Sequence, residues 1–212
     1  MKKQVEKDHY KFSSYMSKQR WASMWNQVSE VLEYSPGTVL EIGPGPGIFK
    51  ALVTQLGMEV KTLDIDSELQ PDYVGSADCM PFCDGEFDVV CAFQMLEHVP
   101  YEMSLAIFRE MVRVAKKGIV VSLPDAKAAW PCVIHIPKVG PFNFHIHSPR
   151  VRLKEHVFDG EHHWEINKAG YSLSRIRSDL EKVSGVTLIR TYRVNENPYH
   201  RFFVFRKSSF KD

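Results

Sequence analysis

Short apolar runs that alternate with amphipathic stretches constrain this chain more than any other feature. Thr38-Val39-Leu40-Glu41-Ile42 reads as a buried strand, as do residues 60–63, 87–93 and 118–123, with a short strand at Tyr73-Val74. Residues 49–56 and 101–115 read as the helices between them, the second with Leu105, Phe108, Met111 and Val112 on one face. Buried strands that alternate with helices predict an α/β fold, a mostly parallel sheet covered on both faces.

The flanks are different. Residues 8–33 carry apolar and aromatic side chains at roughly helical spacing, with Trp21 and Trp25 expected to pack, and Ser35-Pro36-Gly37 ends that helix. Residues 172–183 read as a closing helix. Residues 186–191 and 201–205 read as two strands joined through Asn195-Glu196-Asn197-Pro198. From 125 to 165 the pattern fails. That stretch holds Pro131, Pro137, Pro141, Pro149 and six of the nine histidines, so an irregular insertion is expected. The expected organisation is one domain: a helical cap over 1–36, an alternating core over 37–124, a substrate-facing insertion over 125–165, and a closing helix and strand pair over 166–212.

Composition narrows the function classes. With 27 basic and 26 acidic residues the net charge is +1, so no overall field favours nucleic acid or an anionic membrane. Uncharged stretches such as 139–149 fall far short of the roughly 18–20 apolar residues of a membrane span. Met1-Lys2-Lys3-Gln4-Val5-Glu6 lacks the apolar core of a signal peptide. Cys79, Cys83, Cys91 and Cys132 form no CxxC pair, and a reduced, cytoplasmic setting is expected.

Glu41-Ile42-Gly43-Pro44-Gly45-Pro46-Gly47 follows a strand and opens a helix. Glycines there permit a tight turn and close approach of backbone to a ligand. A dinucleotide fingerprint, GxGxxG, would need its third glycine at Ile48, and the two prolines remove donors that a pyrophosphate would use. A nicotinamide oxidoreductase is therefore disfavoured. Asp64 stands 21 residues after Gly43, at the end of the next strand, where a carboxylate can accept from ribose hydroxyls.

Two further segments complete the pattern: Ala77-Asp78-Cys79-Met80-Pro81-Phe82, and Phe87 through Gln94-Met95-Leu96-Glu97-His98-Val99. With all four in this order, the sequence resembles the class I S-adenosylmethionine-dependent methyltransferases, in particular the methyltransferase type 11 group, over roughly 39–124. The resemblance implies a Rossmann-like, seven-stranded sheet whose last strand is antiparallel, with S-adenosyl-L-methionine across the carboxyl ends of the first strands. It implies that Glu41 orients the methionine ammonium. Gly43, Pro44, Gly45 and Gly47 would form the turn against the amino-acid part and the ribose. Asp64 would bind the ribose, Ile65 pack on the adenine, Asp78 accept from the adenine amine, Cys79 or Met80 contact the ring, and Gln94 lie near the methionine moiety. Some relatives place a second glutamate three residues before the one at Glu97 and bind a divalent cation. Gln94 stands there instead, and no metal is expected. A segment such as the amino-terminal helix folds over the cofactor in similar enzymes, which would bring Tyr10, Tyr15 or Arg20 to the methionine carboxylate.

Methyl transfer from a sulfonium is an in-line displacement, so positioning dominates, with a base needed for a hydroxyl or a protonated amine. The resemblance points to Gly160-Glu161-His162-His163-Trp164-Glu165 as the acceptor-facing segment, with His163 the first candidate base and His162 the second. His98, His145, His147 and Trp164 are placed on the substrate side, with Phe142 as a further wall. His145-x-His147 would put two rings on one strand face. The expected activity is methylation of an oxygen or nitrogen of a small-molecule or sugar-like acceptor; a non-catalytic cofactor-binding module is the alternative. Nucleic acid is not expected as a partner: the basic cluster near the carboxyl end is modest, and no Asn/Asp-Pro-Pro-Tyr/Phe signature follows the fourth strand.

Overall fold

Three apolar side chains, a threonine and one glutamate make β1 (Thr38–Ile42), and the strand is buried along nearly its whole length. A computed structural model describes residues 16–147, 149, 153–158 and 160–209. α1 (Lys18–Leu32) precedes β1, and α2 (Ile48–Gln55), β2 (Glu59–Asp64), β3 (Tyr73–Val74), β4 (Phe87–Phe93), α3 (Tyr101–Val114) and β5 (Ala115–Pro124) follow it. Then come β6 (Ala129–Ile136), β7 (Gly140–His147), α4 (Leu173–Glu181), β8 (Val186–Arg193) and β9 (His200–Lys207). Two 3-10 turns, Ser67–Leu69 and Leu96–His98, lie in the loops.

Seven strands form one sheet in the order β3-β2-β1-β4-β5-β9-β8. β1, β2, β3, β4 and β5 pair in parallel, while β9 is antiparallel to both β5 and β8. The expected seven-stranded Rossmann-like sheet is what the chain forms. Strand order turns back at β1, which pairs β2 on one side and β4 on the other, and open α/β sheets bind ligands outside the carboxyl ends at such a point.

Alternate residues feed two cores. Leu40, Ile42, Val90 and Ala92 join Phe108, Met111, Ile176 and Leu180 of α3 and α4. Val39, Val89 and Cys91 join Val31 of α1 and Phe49 and Val53 of α2 on the other face. A Cβ at Gly118 would stand 2.2 Å from the Tyr34 ring, whose hydroxyl donates to the Phe205 carbonyl at 2.8 Å, so the close packing of α1's end on the sheet depends on that glycine.

Two sequence expectations change, and one falls outside the described residues. The tryptophans of α1 do not pack: Trp25 is 68% exposed and Trp21 is also exposed. The helix instead turns Ser23, Gln27 and Glu30 inward. Glu30 meets Arg190 and the Tyr192 hydroxyl, so a polar network selects the buried face. Residues 8–15 of the expected helix, with Tyr10 and Tyr15, lie outside the described residues, as do Arg150 and Arg152. Finally, the insertion is not irregular throughout. β6 and β7 form a separate two-stranded antiparallel sheet. Pro131 is tolerated because both strands are edges, and Pro137 falls in the connecting turn.

The insertion springs from a buried ionic knot. Asp125, just past β5, accepts from Asn167 at 2.7 Å and from the Nε atoms of Arg193 and Arg201, each at 2.8 Å. Burial alone would raise the Asp125 pKa, but Arg193, Arg201 and Asn167 hold it below the ordinary carboxylate range.

Candidate functional site

The turn after β1 is built from three left-handed residues. Gly43, Gly45 and Gly47 have φ of 67°, 51° and 71°, a region costly for any residue with a Cβ. A side chain at Gly43 would also collide with Met95, whose Cγ lies 2.5 Å from the Cβ position. Pro44 accepts from Gly47 N–H at 3.0 Å, and Gly47 caps α2. Below the turn, Glu41 is buried and its Oε2 has no hydrogen-bond partner. Burial pushes its pKa up to about 8 against the pull of Lys50. A buried carboxylate oxygen without a partner is costly, and a ligand ammonium is the natural complement.

Asp64 ends β2, half-buried, with its pKa raised by burial; its Oδ1 accepts from Asp66 N–H at 2.9 Å. Asp66 caps the following 3-10 turn through Glu68 N–H, so the two carboxylates have different duties. Ile65 is partly buried beside them. Asp78 is exposed and accepts from the Ser76 hydroxyl, and Cys79 is exposed next to it. Met80 is committed elsewhere. Its N–H donates to Glu110 at 2.9 Å, its carbonyl accepts from Arg113, and its side chain is in the core, so the expected backbone contact to a ring falls to Cys79. Gln94 stands at the end of β4 with φ 52°. Its N–H donates to the Ser122 carbonyl at 2.9 Å and its Nε2 to the Ser122 hydroxyl at 3.3 Å. A strained non-glycine residue held from two sides at a strand end is a mark of a functional position.

The acceptor side is a chain of titratable groups. His162 Nδ1 lies 2.9 Å from Glu165 Oε1, which also accepts from the Tyr199 hydroxyl at 2.6 Å. The His162 bond leads the causes that hold Glu165 at about 2, so it stays ionised. His162 packs edge-on against His98, ring centroids 5.0 Å apart, and His98 Nδ1 lies 3.1 Å from the Glu161 carbonyl. Glu97 beside them is fully buried with both carboxylate oxygens unpartnered, and burial pushes its pKa to about 8. His163 N–H donates to the Glu97 carbonyl at 2.8 Å, and its ring lies against Phe158.

Trp164 is not a substrate wall. It is 2% exposed, and it packs edge-on to Tyr101 within the core, because so large a ring gains most from full burial. Phe142 is on β7, exposed to solvent. His145 and His147 do share one face of β7, rings 6.2 Å apart. Burial, then Arg193, lowers the His147 pKa.

Residues 40–122 match the family model described as a methyltransferase domain. The match spans β1 through β5, the strands that carry the glycine turn, Asp64 and Gln94. Over those residues the chain is similar to that family. Curated relatives of this chain include uncharacterized methyltransferases of Mycobacterium sp. strains KMS and JLS. Each is 32% identical, over 58% of this chain and 48% of the relative. The chain thus spans about half the length of the curated relatives it matches. Among solved structures, the PH0226 protein of Pyrococcus horikoshii OT3 superposes with a TM-score of 0.62 at 16% identity, covering 96% of this chain and 100% of that one. The magnesium protoporphyrin IX methyltransferase of Synechocystis PCC 6803, crystallised with bound SAM, gives 0.62 at 16% over 95% and 90%. At such identities the likeness is one of fold.

Sequence reasoning misses two residues. Glu165 reads only as part of a motif, yet it is the carboxylate that fixes the His162 ring; the signal is its spacing of three residues. Glu97 stands in the fourth segment with no role of its own. Its burial beside His98 and His162 arises because the insertion returns over the end of β4, a contact no local pattern announces.

Proposed function

We propose that this chain transfers a methyl group from S-adenosyl-L-methionine to an oxygen or nitrogen of a small-molecule or sugar-like acceptor, with His162 as the base. The observation that carries the cofactor reading is Glu41: a buried carboxylate oxygen without a partner, beneath a turn of three left-handed glycines at the point where the strand order turns back. Glu41 would hold the methionine ammonium, Asp64 the ribose hydroxyls, Ile65 and Cys79 the purine, and Asp78 its amine; Gln94 would border the methionine. When bound, the cofactor supplies an electrophilic methyl on a sulfonium.

His162 supports the chemistry better than His163 does. Its Nδ1–H bond to Glu165 selects the tautomer with the lone pair on Nε2, and the ionised carboxylate stabilises the imidazolium that forms. His162 would take the acceptor's proton at Nε2 as the acceptor is methylated. The experiment is calorimetry with S-adenosylhomocysteine, followed by mass-spectrometric detection of methyl transfer to a metabolite pool. Binding of NAD in place of S-adenosylhomocysteine would overturn the reading, and binding without transfer to any acceptor would leave a cofactor-binding module.

One observation favours a variant of this reading. Donor atoms of Glu97, His98 and His162 all lie within 4.8 Å of one another. Each imidazole has an oxygen at Nδ1, the arrangement that orients metal-binding histidines. In this variant the three residues hold a divalent cation, which would supply a Lewis acid for an acceptor oxygen. The expectation of no metal rested on Gln94, whereas His162 comes from the insertion. Metal analysis and calorimetry with manganese and zinc decide it: stoichiometric uptake lost in Glu97→Gln favours the cation, and no uptake favours the base.

A further inference from the structure

The β6–β7 hairpin has one wholly apolar face. Its register places Trp130 opposite Ile146, Cys132 opposite Phe144, and Ile134 opposite Phe142, with Ile136 next to the turn. Paired residues share a face, so these seven side chains form one continuous surface about 20 Å long. The opposite face carries Ala129 with His147, Pro131 with His145, and Val133 with Asn143. No third strand joins the hairpin among the described residues. Trp130 is 56% exposed, Phe142 59%, and Val139 at the turn 80%; Ile134, Ile136 and Ile146 are exposed as well. An isolated two-stranded hairpin is marginal in water, and an exposed apolar face of this extent marks an interaction surface.

Charge identifies the occupant. Between Asp125 and Glu155 there is no carboxylate side chain at all, while Lys127, Lys138, Arg150, Arg152 and Lys154 are basic. Lys127, Lys138 and Lys154 are exposed, and Lys138 stands beside Val139 in the turn. The chain's net charge of +1 conceals this segregation. A second copy would bring like charges against like and gain nothing from them. An anionic bilayer surface accepts both features at once: lysines to the headgroups, tryptophan and phenylalanine to the interface, and isoleucines to the acyl boundary. We propose that the apolar face of the β6–β7 hairpin docks this chain on an anionic lipid surface. The docking is interfacial, since no helix among the described residues is long and apolar enough to cross a membrane. It stands apart from methyl transfer and does not require it.

The test is vesicle flotation with phosphatidylcholine alone and with roughly one-third phosphatidylglycerol, alongside light scattering for mass. The parent should float with the anionic vesicles and stay behind with the neutral ones. An Ile134→Asp/Phe142→Asp pair should abolish flotation, and Asn143→Asp, on the opposite face, should weaken it far less, with the melting temperature unchanged in each. Lys138→Glu at the solvent-exposed turn should weaken it roughly thirtyfold, about 1 kcal/mol for each of the two units of charge changed, and this arm holds even if the double variant misfolds. A parent that ignores anionic vesicles, or floats equally with neutral ones, overturns the proposal. So does a dimer that Ile134→Asp/Phe142→Asp dissociates, because the face would then belong to a second copy.

Discussion

The glycine turn and the insertion lie at the same carboxyl edge of the sheet, yet they are made from opposite materials. At the turn the backbone does the work: three positive φ angles, two prolines, and one carboxylate with an unpartnered oxygen. In the insertion side chains do it, through the His162–Glu165 pair, His98 and the apolar face of β6 and β7. Backbone geometry tolerates few alternatives, so one end can keep a fixed ligand. Side chains on a return loop can be exchanged without disturbing the sheet, so the other end suits a changeable acceptor.

The sharpest break comes from Gly43→Val. It adds atoms where Met95 already stands and imposes φ 67° on a branched residue, so S-adenosylhomocysteine binding should disappear in calorimetry. Retained binding would mean that the turn is not where the ligand sits. Next, His162→Ala should slow single-turnover transfer by about 10²–10⁴-fold while cofactor affinity stays within a few-fold. His163→Ala should cost less, and the reverse ranking would return the base to His163. Asp64→Ala should weaken cofactor binding by about 1.5–3 kcal/mol, and Asp66→Ala by clearly less, since Asp66 serves the 3-10 turn. Equal losses would erase the distinction drawn between the two carboxylates.

The last effect is one of pH. Glu41 and Glu97 have folded pKa values of about 8, above the ordinary carboxylate value of 4.5. Their unfolded forms release protons first, so the ligand-free protein should lose stability as pH rises from about 5 to 8, by at most about 1.4 kcal/mol per pH unit for each group. Glu165, held at about 2, works the other way: its contribution is present above about 4.5 and is lost as pH falls toward 2. Thermal melts of Glu97→Gln should flatten the first slope, and those of Glu165→Gln the second. If Glu97→Gln leaves the profile unchanged, Glu97 is already charged and paired.

Legibility in the sequence followed the same division. β1, β3 and β4 were readable to the residue, and β2 and β5 closely, because short strands bounded by glycines and helices leave a local signature. Asp64 could be found by counting from Gly43. The hairpin was hidden by its prolines and histidines, although Trp130-x-Cys132-x-Ile134-x-Ile136 alternates with period two. Trp21 and Trp25 misled because hydrophobicity alone does not say which helix face meets Arg190 and Tyr192. His162 could not be ranked over His163, since the choice depends on Glu165, Tyr199 and the end of β4 converging in space.

The knot at Asp125 sets an order of assembly. Asp125 leaves the ribosome 68 residues ahead of Arg193 and 76 ahead of Arg201. At roughly 5–20 residues per second, that is a wait of about 4–15 s. Throughout it β5 lacks its neighbour β9, and its open edge stands beside a half-made chain. The knot, and with it the second edge of β5, can therefore close only after residue 201 has emerged.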